Sequence, residues 1–187
     1  MNEAIIATIS TVVGTILGWI LANIRFGKIS ITLTDFKEEP LYATPTTMHV
    51  PGKQANELYH VALYCTIQIY NSSQINKAIR NCELSFTGAN GKELFSLLGK
   101  DKETIHTHGA IYNYDDIEIV NIEPFASKNV KLVVYVRDID AMYEAKSIYL
   151  KYKNERLKIK KIKYKDVDFK VIPRFYKEMP PHEQTKI

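Results

Sequence analysis

Val61-Ala-Leu-Tyr-Cys-Thr-Ile-Gln-Ile-Tyr-Asn71 alternates side chains without a break. Val61, Leu63, Cys65, Ile67 and Ile69 share one side of an extended chain; Ala62, Tyr64, Thr66, Gln68 and Tyr70 share the other. A period of two lets a strand bury one face and wet the other, and no helix reproduces it. Asn71-Ser72-Ser73 then supplies turn chemistry. The same pattern extends outward. Ile29, Ile31 and Leu33 alternate with Ser30, Thr32 and Thr34, while Cys82, Leu84 and Phe86 flank Glu83 and Ser85. Val130, Leu132, Val134 and Val136 form one apolar row; Ile148, Leu150 and Tyr152 form another. Turns fall at Gly88-Ala-Asn-Gly91 and Asn154-Glu155. Past the N-terminal segment, the only helical signal is Asp138 to Ala145, capped by Asp138. Eight or nine short strands over about 140 residues predict a mainly β fold, an antiparallel β-sandwich, with a closed barrel as the alternative.

The N-terminal segment has a different character. Ala4 to Ile24 is an uncharged run of 21 residues containing ten Ile, Leu or Val. As a helix it would span about 31 Å, close to a hydrocarbon core of about 30 Å. The ten apolar residues contribute about −3 to −6 kcal/mol toward insertion, eroded by the threonines, Ser10 and Asn23. A cleaved signal peptide fits poorly, because the first residues are Met-Asn-Glu and Gly18 to Ala22 lacks a good cleavage site. The run is expected to be a retained single-pass transmembrane helix. Arg25 and Lys28 follow it and no cation precedes it, which places the N-terminus outside and the rest in the cytoplasm. Trp19 and Phe26 would mark the inner interface. Ser10, Gly14, Gly18 and Ala22 recur every four residues, a stripe of small side chains suited to close packing against a second copy or a partner membrane protein.

Two further stretches carry a resemblance. Tyr70-Asn-Ser-Ser-Gln-Ile75 ends a strand on an asparagine, and Ile122-Glu-Pro-Phe-Ala-Ser-Lys-Asn-Val-Lys-Leu132 leads through an Ile-x-Pro corner into a long strand. In both, residues 29–165 resemble immunoglobulin-like sandwiches, without a Cys-Trp-Cys core. The chain is similar to small membrane-anchored proteins of this kind from Gram-positive bacteria and their phages, most without assigned function. The preference for Lys over Arg, 20 against 5, suits an AT-rich genome. The expected organisation is an anchor at 1–28, a β-sandwich domain at 29–172 and a flexible tail at 173–187. Glu38 to Asn56 reads as a long loop or an edge excursion, and Lys100 to Tyr114 as a second loop.

Composition excludes several classes. A chain of 187 residues fits one domain, 15 Gly plus Pro exclude collagen-like sequence, and two cysteines exclude a disulfide scaffold. The net charge of +4 is unevenly spread: residues 141–187 hold 13 basic and six acidic groups. Lys151, Lys153, Arg156, Lys158, Lys160, Lys161, Lys163 and Lys165 form a basic hairpin, with a bulge expected at Lys160-Lys161. Such a hairpin protects a sheet edge from aggregation, or draws the domain onto anionic lipid at about 1 kcal/mol per lysine. Tyr149, Tyr152 and Tyr164 interleave with the cations in the manner of single-strand binders, but a membrane tether and few arginines argue against nucleic acid. Asp115 to Glu123 offers an acidic stretch to a basic partner.

Catalytic motifs are missing. There is no Gly-rich phosphate loop, no G-x-S-x-G and no Cys-x-x-Cys. His106 and His108 could face one way on a strand, but His49, His60 and Asp115 have no ligand spacing relative to them, so no metal or other cofactor is expected. Cys65 and Cys82 fall on inward faces of adjacent strands, as small core residues. The expected function is a non-enzymatic interaction module that presents its sandwich to a protein partner or anionic lipid. The alternatives are an extracytoplasmic binding module of the same fold and an enzyme with a site in the 100–114 loop.

Overall fold

The computed structural model describes residues 11–18, 27–43, 56–108 and 111–175. Residues 11–18 form a helix, α1. Ten strands follow among the described residues: β1 (Ile29–Tyr42), β2 (Leu58–Asn71), β3 (Lys77–Thr87), β4 (Glu93–Leu98), β5 (Lys100–His108), β6 (Ile111–Asp116), β7 (Ile119–Ile122), β8 (Ser127–Val136), β9 (Ser147–Lys153) and β10 (Ile159–Asp166). A short helix α2 (Ile139–Glu144) separates β8 from β9, and its first turn is capped by Asp138, whose carboxylate accepts the Ala141 N–H at 3.0 Å. One sheet runs β1-β2-β8-β5-β6; the other runs β10-β9-β3-β4, with β7 also on β3. Every pairing is antiparallel. The result is an immunoglobulin-like sandwich rather than a closed barrel.

Alternation puts the core where the period of two requires it. Leu63, Ile67 and Ile69 from β2 face Ile79, Leu84 and Phe86 from β3 and Leu150 from β9, all fully buried. Each such side chain contributes about 1.5–3 kcal/mol. Phe86 stacks on Phe95 at 4.5 Å and meets Phe169 at 6.3 Å, closing one end of the core. Cys65 and Cys82 lie on opposite sheets across this core, not on neighbouring strands of one sheet, because the chain changes sheet between β2 and β3. Burial pushes both thiols up to about 12, so neither is a nucleophile near neutral pH.

The chain crosses between sheets again at Gly99. A Cβ there would lie 2.3 Å from Leu132 Cδ1 and 3.0 Å from the Cys82 carbonyl oxygen, so only glycine fits. The open edges of β1 and β10 meet at one seam. Tyr164 Oη donates to the Thr34 carbonyl at 3.1 Å, and Phe36 packs edge-on against Tyr164 at 5.4 Å. A bulge at Asp35, whose φ is +54°, turns Phe36 toward that seam.

Two further expectations are corrected. Lys100 to Tyr114 is not a loop but most of the β5–β6 hairpin. Only Lys100 and Asp101 of β5 pair with β8, so the hairpin projects past the sheet and needs no apolar face. Of the two readings of Glu38 to Asn56, the edge one holds for Glu38 to Tyr42, which continues β1 with Pro40 tolerated on an edge strand; residues 44–55 lie outside the described residues. The hairpin bulge sits at Lys163/Lys165, not Lys160-Lys161, because Tyr152 holds Lys160 in register. At the start of the expected tail, Leu58 N–H donates to the Arg174 carbonyl and Phe175 bridges Glu57; residues 176–187 lie outside the described residues.

Among the described residues no helix is long and apolar enough to cross a membrane. Residues 11–18 are the described part of α1, and the rest of the uncharged run, including Ser10, Trp19 and Ala22, lies outside the described residues.

Candidate functional site

Strand order brings one end of the sandwich together from distant sequence. The start of β1, the turn after β2, the start of β3, the corner before β8 and the β9–β10 turn all lie there. This is also the end where the chain arrives from α1. Asn71, fully buried, organises it. Its Nδ2 donates to the carbonyls of Ile75, Ile122 and Glu123 at 2.8, 3.1 and 3.0 Å. Its Oδ1 accepts from Ser73 N–H and Ser73 Oγ at 3.0 and 2.6 Å. One side chain thus ties a strand end, a turn and the Ile-x-Pro corner, which explains why a strand ends on asparagine here.

The chain from α1 is clamped against this knot. Lys28 N–H donates to Ser72 Oγ at 2.9 Å, while Ser72 N–H and Oγ both donate to the Lys28 carbonyl, at 3.1 and 3.0 Å. Gly27, at φ +96°, lies so close that a Cβ would sit 2.3 Å from the Ser72 carbonyl oxygen. The first described residues before β1 therefore leave no slack.

The basic hairpin divides into two parts. Lys151 reaches Glu83 at 3.1 Å and Glu93 at 3.2 Å, and Lys161 reaches Glu93 at 3.4 Å. Burial works against the Glu93 carboxylate, but hydrogen bonds from Ser85 and the two ammonium groups hold it below its ordinary range. Lys163 is held by Asp166 at 2.8 Å, and Lys165 sits 4.1 Å over the Phe36 ring. Lys151, Lys161 and Lys163 are thus paired with acids of their own domain. Near the turn the cations stand apart. Among the described residues no carboxylate lies within ion-pair distance of Lys28, Lys153, Arg156, Lys158 or Lys160.

Apolar side chains share this end. Phe125 is 62% exposed and Leu157 is 64% exposed, each at positive φ, +54° and +56°. The left-handed region costs a bulky residue about 1–2 kcal/mol. Two large apolar tips therefore combine exposure with strain, which folding alone does not reward.

Of the small-residue stripe, Gly14 and Gly18 lie on α1 with open space where a Cβ would stand, and Ser10 and Ala22 lie outside the described residues. The histidines are scattered. His106 Nε2 is 3.1 Å from Asp115 Oδ1, both exposed. His60 packs on Tyr135 across the outer face of the first sheet, and burial holds its pKa below the usual value, helped by Arg137. Among the described residues no group of three His, Cys, Asp or Glu converges on a metal position. A cleft of about 590 Å³ lies at the foot of the β5–β6 hairpin, lined by Asp101, Asp115, Asp116 and Lys128 but not by His106. An aromatic group on the first sheet was not foreseeable from any motif. Tyr64 is hydrogen-bonded to Glu39 and Tyr135 to Tyr114, with Lys102 4.4 Å over the Tyr64 ring.

No curated protein matches this chain. Solved structures show distant likenesses. A structural-genomics target matches over 74% of this chain and 83% of its own, at 13% identity and a TM-score of 0.36. A putative ApaA protein from Bordetella pertussis covers 77% and 94%, at 8% identity and 0.34. An uncharacterized β-sandwich protein from Clostridium difficile covers 74% and 86%, at 16% identity and 0.34. Likenesses this distant carry no weight for function. A family model described as the YopI Ig-like domain matches residues 27–165, from the clamped glycine to the end of the basic hairpin, and the chain belongs to that family.

Proposed function

We propose that this protein is a single-pass, membrane-anchored, non-enzymatic interaction module whose cytoplasmic immunoglobulin-like domain works against the bilayer surface. One observation carries the reading. Every residue of α1 is exposed and none is charged, including Val12, Val13, Ile16 and Leu17. Its polar side chains are threonines, and Thr15 Oγ1 donates back to the Thr11 carbonyl at 2.8 Å; a helix uncharged on every side with large apolar residues exposed is stable in lipid or inside a larger core, not in water. The clamp at Gly27 and Lys28 supports it, because eight residues separate Gly18 from Gly27 and hold the two within about 30 Å. Lys28 and Arg25 favour the cytoplasmic side for the domain.

Flotation tests the tether. The full chain should rise with phosphatidylcholine vesicles and stay with them through alkaline carbonate; recovery in the soluble fraction would sink the reading. The stripe makes a second expectation. Gly14→Ile with Gly18→Ile should weaken crosslinking between copies roughly tenfold, since branched side chains force helix backbones apart. Unchanged crosslinking would remove self-association from the proposal.

A further inference from the structure

The β9–β10 turn, the start of β3 and the start of β1 enclose a cleft of about 680 Å³. Lys28, Lys77, Arg156, Lys158 and Lys160 line it, and Glu155 is the one acid among the described lining residues. Glu155 is spent on Lys77, at 2.6 Å. Four cations remain with no acid between them. The turn that presents them is built firmly: Asn154 Oδ1 accepts the N–H groups of Arg156 and Lys158 at 3.1 and 3.0 Å. A fixed concave group of like charges repels itself unless an anion sits among them.

The apolar residues say where that anion comes from. Along Arg156-Leu-Lys-Ile-Lys160 cations alternate with Leu157 and Ile159, which are 64% and 60% exposed. Phe125 is exposed at the same end. Cations at phosphate depth with apolar tips just below is the arrangement a phospholipid interface rewards. A small soluble anion would have no use for the tips. We propose that this cleft seats the phosphate of an anionic phospholipid headgroup, with Leu157 and Ile159 lying in the acyl boundary beside it. The inference rests on the tether reading for the surface the cleft faces, and its test is independent of the tether.

The full chain in uncharged maltoside micelles is titrated separately with dihexanoyl phosphatidylglycerol, dihexanoyl phosphatidylcholine and inorganic phosphate. Amine-labelling rates at Lys158 and Lys160 are read by mass spectrometry against Lys170, which lies at the far end of the domain. Phosphatidylglycerol should slow labelling of Lys158 and Lys160 severalfold and leave Lys170 unchanged, while the other two additives change neither. No slowing by phosphatidylglycerol overturns the site, and equal slowing by inorganic phosphate overturns the lipid assignment. Lys158→Gln with Lys160→Gln, both on exposed positions, should weaken the phosphatidylglycerol effect read at Lys28 by roughly 30-fold, about fivefold for each lysine. An unchanged midpoint would count against the cleft. Micelles hold the chain whether or not it spans a bilayer, so failed flotation and failed protection report different things.

Discussion

Asn71→Ala should destabilise the domain by about 3–5 kcal/mol, the largest effect expected of any single polar substitution in it. The side chain is fully buried and satisfies three carbonyls while accepting twice from Ser73. Alanine would take this partner from the Ile122 carbonyl and the Ser73 N–H, at about 1–3 kcal/mol for each group that stays unpaired, while the Ile75 carbonyl keeps Ser73 Oγ at 2.9 Å and the Glu123 carbonyl keeps the Ala126 N–H at 3.3 Å. Asn71→Asp separates shape from chemistry. It keeps the volume and the acceptor for Ser73 but loses the donor and points a carboxylate at three carbonyl oxygens. It should cost as much as alanine or more. Thermal unfolding reads both, with a melting temperature lower by about 10 °C. A loss under about 1 kcal/mol would mean that the carbonyls find other donors. The same burial makes the Asn71-Ser-Ser73 triplet unavailable as a glycosylation acceptor in the folded domain.

Gly27→Ala should act locally. Its Cβ would fall 2.3 Å from the Ser72 oxygen and 2.5 Å from the Ser72 carbonyl carbon, both backbone, and its φ of +96° strains any L side chain. The chain cannot relieve this by moving a side chain, so the Lys28–Ser72 clamp opens instead. A strain of about 1–3 kcal/mol converts to roughly fivefold to 150-fold faster exchange of the Ser72 amide, which donates to Lys28. Global stability should change less than with Asn71→Ala, since the core residues between Tyr42 and Ile172 are untouched. Unchanged Ser72 exchange would show that the clamp contributes nothing to how the domain is held.

Much of the fold was legible because burial and period coincide. Val61 to Asn71 and Val130 to Val136 alternate where one face meets the core. The Ile122-x-Pro corner leads into β8, which is the middle strand of its sheet. Asp138 caps α2 as its chemistry requires. The β5–β6 hairpin hid its strands because it projects into solvent, where no face has to be apolar. The division of the basic hairpin was also hidden. Lys151 is neutralised because it lies directly opposite Glu83 on β3, a register that no local stretch encodes. The cleft is less visible still, since Lys28, Lys77 and Arg156 meet only after three separate strands are placed. The eight cations read as one surface are two: an edge held by its own acids and an end left positive.

The proposed tether requires the Gly27 end of the sandwich to face the bilayer. It can be read with one spin label on each of two sites, because the native thiols, Cys65 and Cys82, are buried. Leu157→Cys labels the β9–β10 turn at that end; Val171→Cys labels an exposed residue at the opposite end. In the full chain reconstituted into bilayers with phosphatidylglycerol, the label at 157 should collide preferentially with oxygen, at interfacial depth. The label at 171 should collide preferentially with a water-soluble nickel complex. Equal aqueous accessibility at both positions, or the reverse order, would overturn this orientation of the domain.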